Sequence, residues 1–417
     1  MTALLHARHG LRSVVAERHP GTSILPRASG INVRTMEILR GLGLGLEPAL
    51  RAVEVDVRGL LVVTDLETLP GPVLHTAPNL NLRGPEDPAW PSPTRQGFCG
   101  QDVLEALLVD RIRDSAAVEI WFDTELVGFG QDGSAVWAGL RGRTSDAFRT
   151  VRAEYLVAAG GAHSRIRDRL GIAMTGHDHM SDEINILFDA DLSPALAGKR
   201  SIVFRLRNSW LPRGGILRSN DGARRWKLIA PDPGDMTSAR LVQIIRGCAG
   251  DSLLEVEILA TGRWVKAATL GSDSIWTRLP GRRRRTPPGA GRRDGNEHRD
   301  PGRAQPGLED RRRRQWIGGS GLPRLVRTER LPVAASAVEV SYRNEVDGNH
   351  ARPILGLMLE ATYDSAAVVS DGTPSPESPD PIAVYVPAAR PGHRAPHCWL
   401  SSRVAASRPS ICSTGVS

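Results

Sequence analysis

Residues 151–172 read V-R-A-E-Y-L-V-A-A-G-G-A-H-S-R-I-R-D-R-L-G-I. The apolar, β-rich run 151–159 ends at Gly160-Gly161, and Ser164 is placed to cap a short helix closed by Gly171. A strand that passes through a glycine turn into a helix N-terminus aims main-chain N–H groups at an anion. Alone, such a turn is common to many α/β proteins. A second candidate is Glu17, which follows the short strand Ser13-Val14-Val15-Ala16. In dinucleotide-binding folds the acid that accepts the ribose hydroxyls lies about 20 residues after a Gly-rich phosphate loop. Only 16 residues precede Glu17, and none form G-x-G-x-x-G. If Glu17 is that acid, the first strand and its loop belong before Met1. A surface glutamate after an edge strand is the competing reading.

Two more polar residues stand at helix starts. Residues 17–34 read E-R-H-P-G-T-S-I-L-P-R-A-S-G-I-N-V-R, and Val33, Met36, Leu39 and Leu42 then share one helical face that stops at Gly41 or Gly43. Gln101 and Asp102 open another helix (Val103, Leu104, Leu107, Leu108, Ile112), with Asp102 and Glu105 spaced as a capping box. On residue type alone, Arg27 also reads as an ordinary exposed arginine and Gln101 as a solvent-facing residue. Cys99, Cys248, Cys398 and Cys412 are far apart and lack metal-ligand spacing, so they read as incidental thiols of a reducing compartment. No His/Asp/Ser grouping for hydrolysis stands in 176–270.

The run E-[KR]-x-P…P-R-A-x-G-I-N-x-R-T-M-E from Glu17 resembles the phenol- and polyketide-hydroxylase branch of the FAD-dependent aromatic hydroxylases. Residues 151–167 are similar to that family's second flavin fingerprint, a strand followed by D-G-x-x-S-x-x-R. The chain keeps Gly161, Ser164 and Arg167 and has Gly160 where the family has Asp. The resemblance implies Glu17 on the adenosine ribose with Arg18 nearby, and Arg27 near the FAD pyrophosphate and ribityl chain. It further implies Gln101 reaching the flavin side chain, and Gly160 and Gly161 in the fingerprint turn. FAD would be the cofactor, NAD(P)H the co-substrate, and a phenolic or polyketide aromatic ring the small-molecule substrate. The cofactor supplies the oxygen chemistry, while the protein binds, orients and excludes water. No catalytic base can be assigned.

These residues need a scaffold of two kinds. The expected fold class is α/β: a FAD-binding Rossmann-like domain, first strand and Gly-rich loop missing, with an inserted β-sheet substrate domain. Residues 1–175 would be the first part of the FAD-binding domain, ending in strands at 121–129 and 151–159. Residues 176–270 would be the substrate sheet, with strands at 184–190, 201–206 and 225–230 and a helix at 238–248. Residues 271–345 would return to the FAD-binding domain, and 346–417 would be the truncated start of a thioredoxin-like C-terminal region.

The chain has 417 residues and a net charge of +8, with 54 basic and 46 acidic residues. Residues 278–315 contain 13 Arg and 5 acidic residues, so this segment carries the whole excess and the remainder is balanced. At 296–311 the sequence N-E-H-R-D-P-G-R-A-Q-P-G-L-E-D-R stands where the family has G-M-N-T-G-I-Q-D-A-H-N-L-A-W-K. Suitable codons for this stretch, read one nucleotide later, spell Met-Asn-Thr-Gly-Ile-Gln-Asp-Ala-His-Asn-Leu-Ala-Trp-Lys-Ile. The family pattern resumes in register at R-T-E-R-L-P-V-A (327–334). Three readings follow: a FAD-dependent hydroxylase, a degraded remnant of one with little activity, or a basic nucleic-acid-binding protein. Aromatic residues for stacking are absent from 278–315, which argues against nucleic acid. There is no apolar run of 18 residues and no leader pattern, so no membrane is expected and the cytoplasm is the expected location.

With so few apolar partners, 278–315 cannot offset the entropy of ordering its arginines. Limited trypsin digestion should therefore nick this segment first. Cleavage elsewhere before it, read by mass spectrometry, would contradict the expectation.

Overall fold

The computed structural model describes residues 1–57, 60–78, 83–132, 135–235, 237–271, 276–277, 322–348 and 352–398. The reading of 278–315 as a disordered, out-of-frame segment lies outside these residues. Two cores organise the rest. One gathers Leu4, Met36, Leu39, Leu46, Leu50, Ile112 and Val118 from the N-terminal helices and the strand Val118–Trp121. The other packs the helix Ser238–Ala249 (Leu241, Ile244, Ile245, Cys248) against Ile184, Ile186, Phe188, Phe204 and Leu228 of a large sheet.

That sheet has seven strands, in the order Glu257–Gly271, Met174–Asp189, Arg225–Pro231, Gly215–Ser219, Ser201–Leu206, Leu61–Leu66, His75–Pro78. Ser201–Leu206 runs parallel to Leu61–Leu66, and every other neighbour is antiparallel. The hairpin at 61–78, within the segment assigned from sequence to the FAD-binding half, thus extends the substrate sheet. The 15-residue strand Glu257–Gly271 was not foreseen. Its inward and outward positions alternate only loosely, because it forms a sheet edge with exposed Leu259, Trp264 and Val265.

In the N-terminal half the strand Ser13–Ala16 pairs in parallel with Val118–Trp121, Ser13 opposite Val118 and Ala16 opposite Trp121. The helix Val33–Leu42 buries the four residues of its apolar face, is capped by the Asn32 side chain and stops at Gly43, whose φ of 79° suits glycine. The run at 151–159 is not one strand. Phe148–Ala153 completes a three-stranded sheet with Thr124–Gln131 and Val136–Gly142, its register ending at Ala153 opposite Val136. Leu156–Val157 then pairs antiparallel with Trp276–Thr277. The chain changes partners at Glu154-Tyr155, which a propensity reading cannot detect.

The helix Leu322–Val346 packs on the edge strand Glu257–Gly271, where Lys266 pairs with Glu345 at 2.8 Å and with Glu183 at 3.5 Å. The last described segment folds back onto the helix Val33–Leu42. Leu359 joins Val33 and Trp90 in a small core, and the Arg394 guanidinium forks onto both oxygens of Glu37. Arg394 also donates to Pro91 O and Tyr385 Oη, and Ser92 donates to Glu37. Glu37 and Arg394 are 8% and 9% exposed.

Burial pushes the Glu37 carboxyl up, but Arg394, Ser92 and Arg34 together hold it below its ordinary value of 4.5. A depressed carboxylate contributes stability that is complete above about pH 4.5 and is lost as the pH falls through its folded value. Arg394→Ala should cost about 2–4 kcal/mol, because it strands a buried carboxylate that Arg34 and Ser92 only partly satisfy. Thermal melts at neutral and acid pH check this: the variant's deficit should shrink as the acid limb is approached, and an unchanged deficit would contradict it.

Candidate cofactor site

Segments some seventy residues apart in sequence build the centre of the site. Gly30 pairs with Phe98 and Ile31 with Gly97, antiparallel. The contact continues outward as Cys99 N–H donates to Ser29 O at 2.9 Å and Gln101 N–H to Ala28 O at 3.0 Å. The Gln101 backbone is thereby joined to the residue that follows Arg27 in the chain. The 97–98 strand is held from behind by Arg51, which donates to Glu54, Thr94 Oγ1 and the carbonyls of Arg95 and Gln96. Gly97 is closely packed: an added Cβ would lie 2.9 Å from Met36 Sδ and 3.1 Å from Leu50, so those side chains would have to shift.

The helix Gln101–Arg113 begins without a capping box. Gly100 is the N-cap, and no side chain caps the helix. Asp102 instead pairs with Arg225 of the large sheet at 3.1 Å. Glu105 accepts from Ser23 N–H at 2.8 Å and from the Gln101 amide at 2.6 Å. Tertiary partners outcompete the local cap for both carboxylates. A Cβ on Gly100 would meet Asp102 Oδ1 at 2.2 Å and the Asn220 amide at 3.1 Å, so the helix start is wedged against the sheet. Beside it runs an open groove of about 440 Å³ between Thr22, Ser23, Ile24 and the helix residues Asp102, Ala106 and Leu107.

Arg27 is exposed, and its guanidinium has no hydrogen-bond or ion-pair partner among the described residues. Near it several buried polar atoms also lack partners: Ser29 Oγ, Asp102 Oδ1 and Asn220 Oδ1. Arg27 and the Ser29 hydroxyl can donate to the anionic part of a large polar ligand such as FAD, while the Asp102 and Asn220 oxygens can accept from its hydroxyl groups. Glu17 and Arg18 sit elsewhere, at the end of the strand Ser13–Ala16. Glu17 N–H donates to Trp121 O, Thr124 N–H donates to Glu17 O, and the Glu17 carboxylate accepts from His19 N–H at 2.9 Å. Arg18 lends its carbonyl to Arg143.

Beyond the divided strand, the helix cap and the glycine stop stand where the residue types place them. Gly161 has φ 69°, Ser164 caps the helix Arg165–Arg169 by accepting from Arg167 N–H, and Gly171 has φ 67°. Arg167 reaches back to Ala162 O at 2.7 Å, and Arg165 pairs with Glu125 at 2.6 Å. Consecutive residues Thr124 and Glu125 therefore touch Glu17 and the fingerprint helix. Among the described residues no hydrogen bond or ion pair joins that turn to Arg27 or Gln101. Gly160 is crowded: a Cβ there would lie 2.9 Å from Ser164 Oγ and 3.3 Å from its Cα. An Asp at this position, which the family pattern has, requires Ser164 to move first.

Three basic residues of the sheet escaped the sequence reading. Arg225 and Lys227 share one face of the strand Arg225–Pro231, and Arg218 lies directly across from Lys227. Burial pulls Arg218 down to about 10. Lys227 is held at about 7, by burial first, then by Arg218, against a smaller opposing pull from Asp102. The available signal was a lysine inside the apolar run W-K-L-I-A. Cys99 and Cys248 are buried thiols pushed up by burial to about 11 and about 12, and Cys398 is exposed, whereas Cys412 lies outside the described residues. Among the described residues no cluster of His, Cys, Asp and Glu could hold a metal, and no helix is long and apolar enough to cross a membrane.

A two-layer FAD-type half joined to a mixed sheet defines the class, and comparison with known proteins agrees. The FAD binding domain family matches residues 1–273. Tetracenomycin A2 monooxygenase-dioxygenase of Streptomyces glaucescens is 30% identical, over 95% of this chain and 75% of that protein. Aklavinone 12-hydroxylase DnrF of Streptomyces peucetius is 30% identical, over 96% of this chain and 84% of its own. The crystal structure of aklavinone-11 hydroxylase with FAD and aklavinone superposes with a TM-score of 0.74 at 26% identity, over 95% of this chain and 77% of that one. The chain belongs to the FAD-dependent monooxygenases that hydroxylate aromatic and polyketide rings, a class that uses NAD(P)H and O2.

Gly160→Ala should displace the Ser164 cap and cost about 0.5–2 kcal/mol. Ser164→Ala should cost a similar amount alone and little more in the Gly160→Ala background. A double-mutant cycle by chemical denaturation checks this, and additive losses would contradict the shared mechanism.

Proposed function

We propose that this protein binds FAD where the 27–31 segment meets 97–101, and hydroxylates a phenolic ring of a fused-ring polyketide, taking electrons from NAD(P)H. The observation that carries the reading is the antiparallel contact of 28–31 with 97–101. It joins the loop that carries Arg27, whose guanidinium has no partner among the described residues, to the start of the helix Gln101–Arg113, where Asp102 pairs with Arg225 of the substrate sheet. Arg27 would hold the pyrophosphate, Gln101 the ribityl side, Glu17 with Arg18 the adenosine ribose, and Gly160-Gly161 the fingerprint turn. When bound, FAD supplies the activation of O2. The residues of the chain bind, orient and exclude water. The similarity to enzymes named for tetracenomycin and aklavinone supports a polycyclic phenolic substrate.

A second reading, a remnant with little activity, is favoured by one observation: 296–311 stands where the family has G-M-N-T-G-I-Q-D-A-H, and codons for this stretch can be chosen that spell the family motif when read one nucleotide later. The purified chain distinguishes the two. Yellow protein that takes up FAD and oxidises NAD(P)H faster when a polycyclic phenol is added supports hydroxylation. Colourless protein that oxidises none supports the remnant.

On the first reading, Arg27→Ala removes a charge-assisted hydrogen bond of roughly 1.5–3 kcal/mol, so FAD should bind about ten- to a hundredfold more weakly. Gln101→Ala should weaken it less, about three- to tenfold, because a neutral hydrogen bond is worth about 0.5–1.5 kcal/mol. Flavin fluorescence titration measures both, and equal affinities across wild type and variants would contradict these roles.

A further inference from the structure

Lys227 is fully buried, in the middle of a strand whose cross-strand partners are Leu187 on one side and Arg218 on the other. Like charges directly opposite each other in a sheet are unfavourable, and an unpaired buried ammonium is more so. The ammonium is compensated by main-chain oxygens instead. Lys227 Nζ donates to Pro26 O at 2.5 Å and to Arg27 O at 3.2 Å, two hundred residues away in sequence. The nearby carboxylate is Asp102, on the helix Gln101–Arg113, and it is already engaged by Arg225. Lys227 therefore meets Arg218 and Arg225 from the sheet, Asp102 from the helix and the backbone of Arg27 from the loop.

This arrangement ties the substrate sheet to the loop that presents Arg27. Pro26 is buried while the Arg27 side chain is exposed, so holding both carbonyls inward leaves the guanidinium facing outward. We propose that Lys227 is a positioning residue: its ammonium locks the 26–27 backbone onto the substrate sheet and so holds Arg27 in place for the anionic part of the cofactor. The role rests on the reading of Arg27 as a FAD contact. A charged ammonium grips carbonyl oxygens more strongly than a neutral amine does. The lock is consequently tight when Lys227 is protonated and loosens as it loses its proton, which burial brings to about pH 7.

Global stability must respond to pH in the opposite sense. The folded value lies below the unfolded value of 10.5, so the unfolded chain holds more protons between about pH 7 and that value. This group's contribution to folding stability therefore rises with pH across the window in which the loop lock weakens. A merely structural lysine would not separate the two trends.

The experiment uses the full chain without FAD, following amide deuterium exchange of the peptide around Arg27 from about pH 6 to about pH 9, corrected for the intrinsic pH dependence of exchange. In the wild type, exchange should accelerate about tenfold beyond the intrinsic trend as Lys227 deprotonates. In Lys227→Met the peptide should exchange at the fast rate throughout, with no pH step. A wild type without the step, or a variant that retains it, would overturn the proposal, and the wild-type profile decides even where the variant does not fold. With FAD as the probe, Lys227→Met should bind about tenfold more weakly at the low-pH end and match the wild type at the high-pH end. Equal FAD affinity at both ends, with the exchange step present, would overturn the positioning role. A wild type that binds no FAD at any pH would instead overturn the cofactor reading of Arg27, and the exchange step alone would then report on the lock.

Discussion

Four residues of antiparallel contact, 28–31 against 97–101, hold the candidate site together. A two-residue ladder would be marginal in water by itself. It persists because both of its sides are buttressed. The Val33–Leu42 helix follows one strand directly and buries Met36 beneath Gly97, while Arg51 and Glu54 grip the other strand through side chains and carbonyls. Gly97 lets the two layers approach closely, and Gly100 lets the next helix start against Asn220 of the substrate sheet. A methyl group at either glycine would displace the side chains packed against it, Met36 and Leu50 at Gly97, Asp102 and Asn220 at Gly100.

Electrostatics then join the two halves. Arg218, Arg225 and Lys227 place three cations on one patch of the sheet, facing the carboxylate of Asp102 from the helix. The Lys227 ammonium is taken up by main-chain carbonyls of the 26–27 loop. Such a patch is expensive to bury without partners, and it lies where a polar, anionic ligand is expected. The C-terminal segment closes over the far side of the same half through a different buried pair, Arg394 with Glu37.

Much of the local structure was legible in residue order. The Val33–Leu42 helix, its glycine stop, the Ser13–Ala16 strand, the Ser164 cap and the strand Ser201–Leu206 follow from periodicity, turn chemistry and capping preferences that act within a few residues. Failures of the local reading share a cause. Asp102 and Glu105 have capping-box spacing, yet Arg225, Ser23 and Gln101 take their carboxylates. The 151–159 run looks continuous, yet it changes partners at 154–155. In each case a distant partner offers a better hydrogen bond than the neighbour in sequence.

The sequence by itself determined the family, because the motifs around Glu17, Arg27 and Ser164 are local strings of residue types with steric and capping requirements of their own. It also determined where the charge excess lies, and which helical faces are apolar. Tertiary structure alone decided which polar residues meet. Lys227 reads as an interruption in a strand until the fold lays that strand under Pro26 and Arg27, and only then does a buried ammonium have acceptors. Hydrogen bonds act only over contact distances and screened charge interactions over about 10 Å, so roles of this kind are set by distances that no linear spacing encodes.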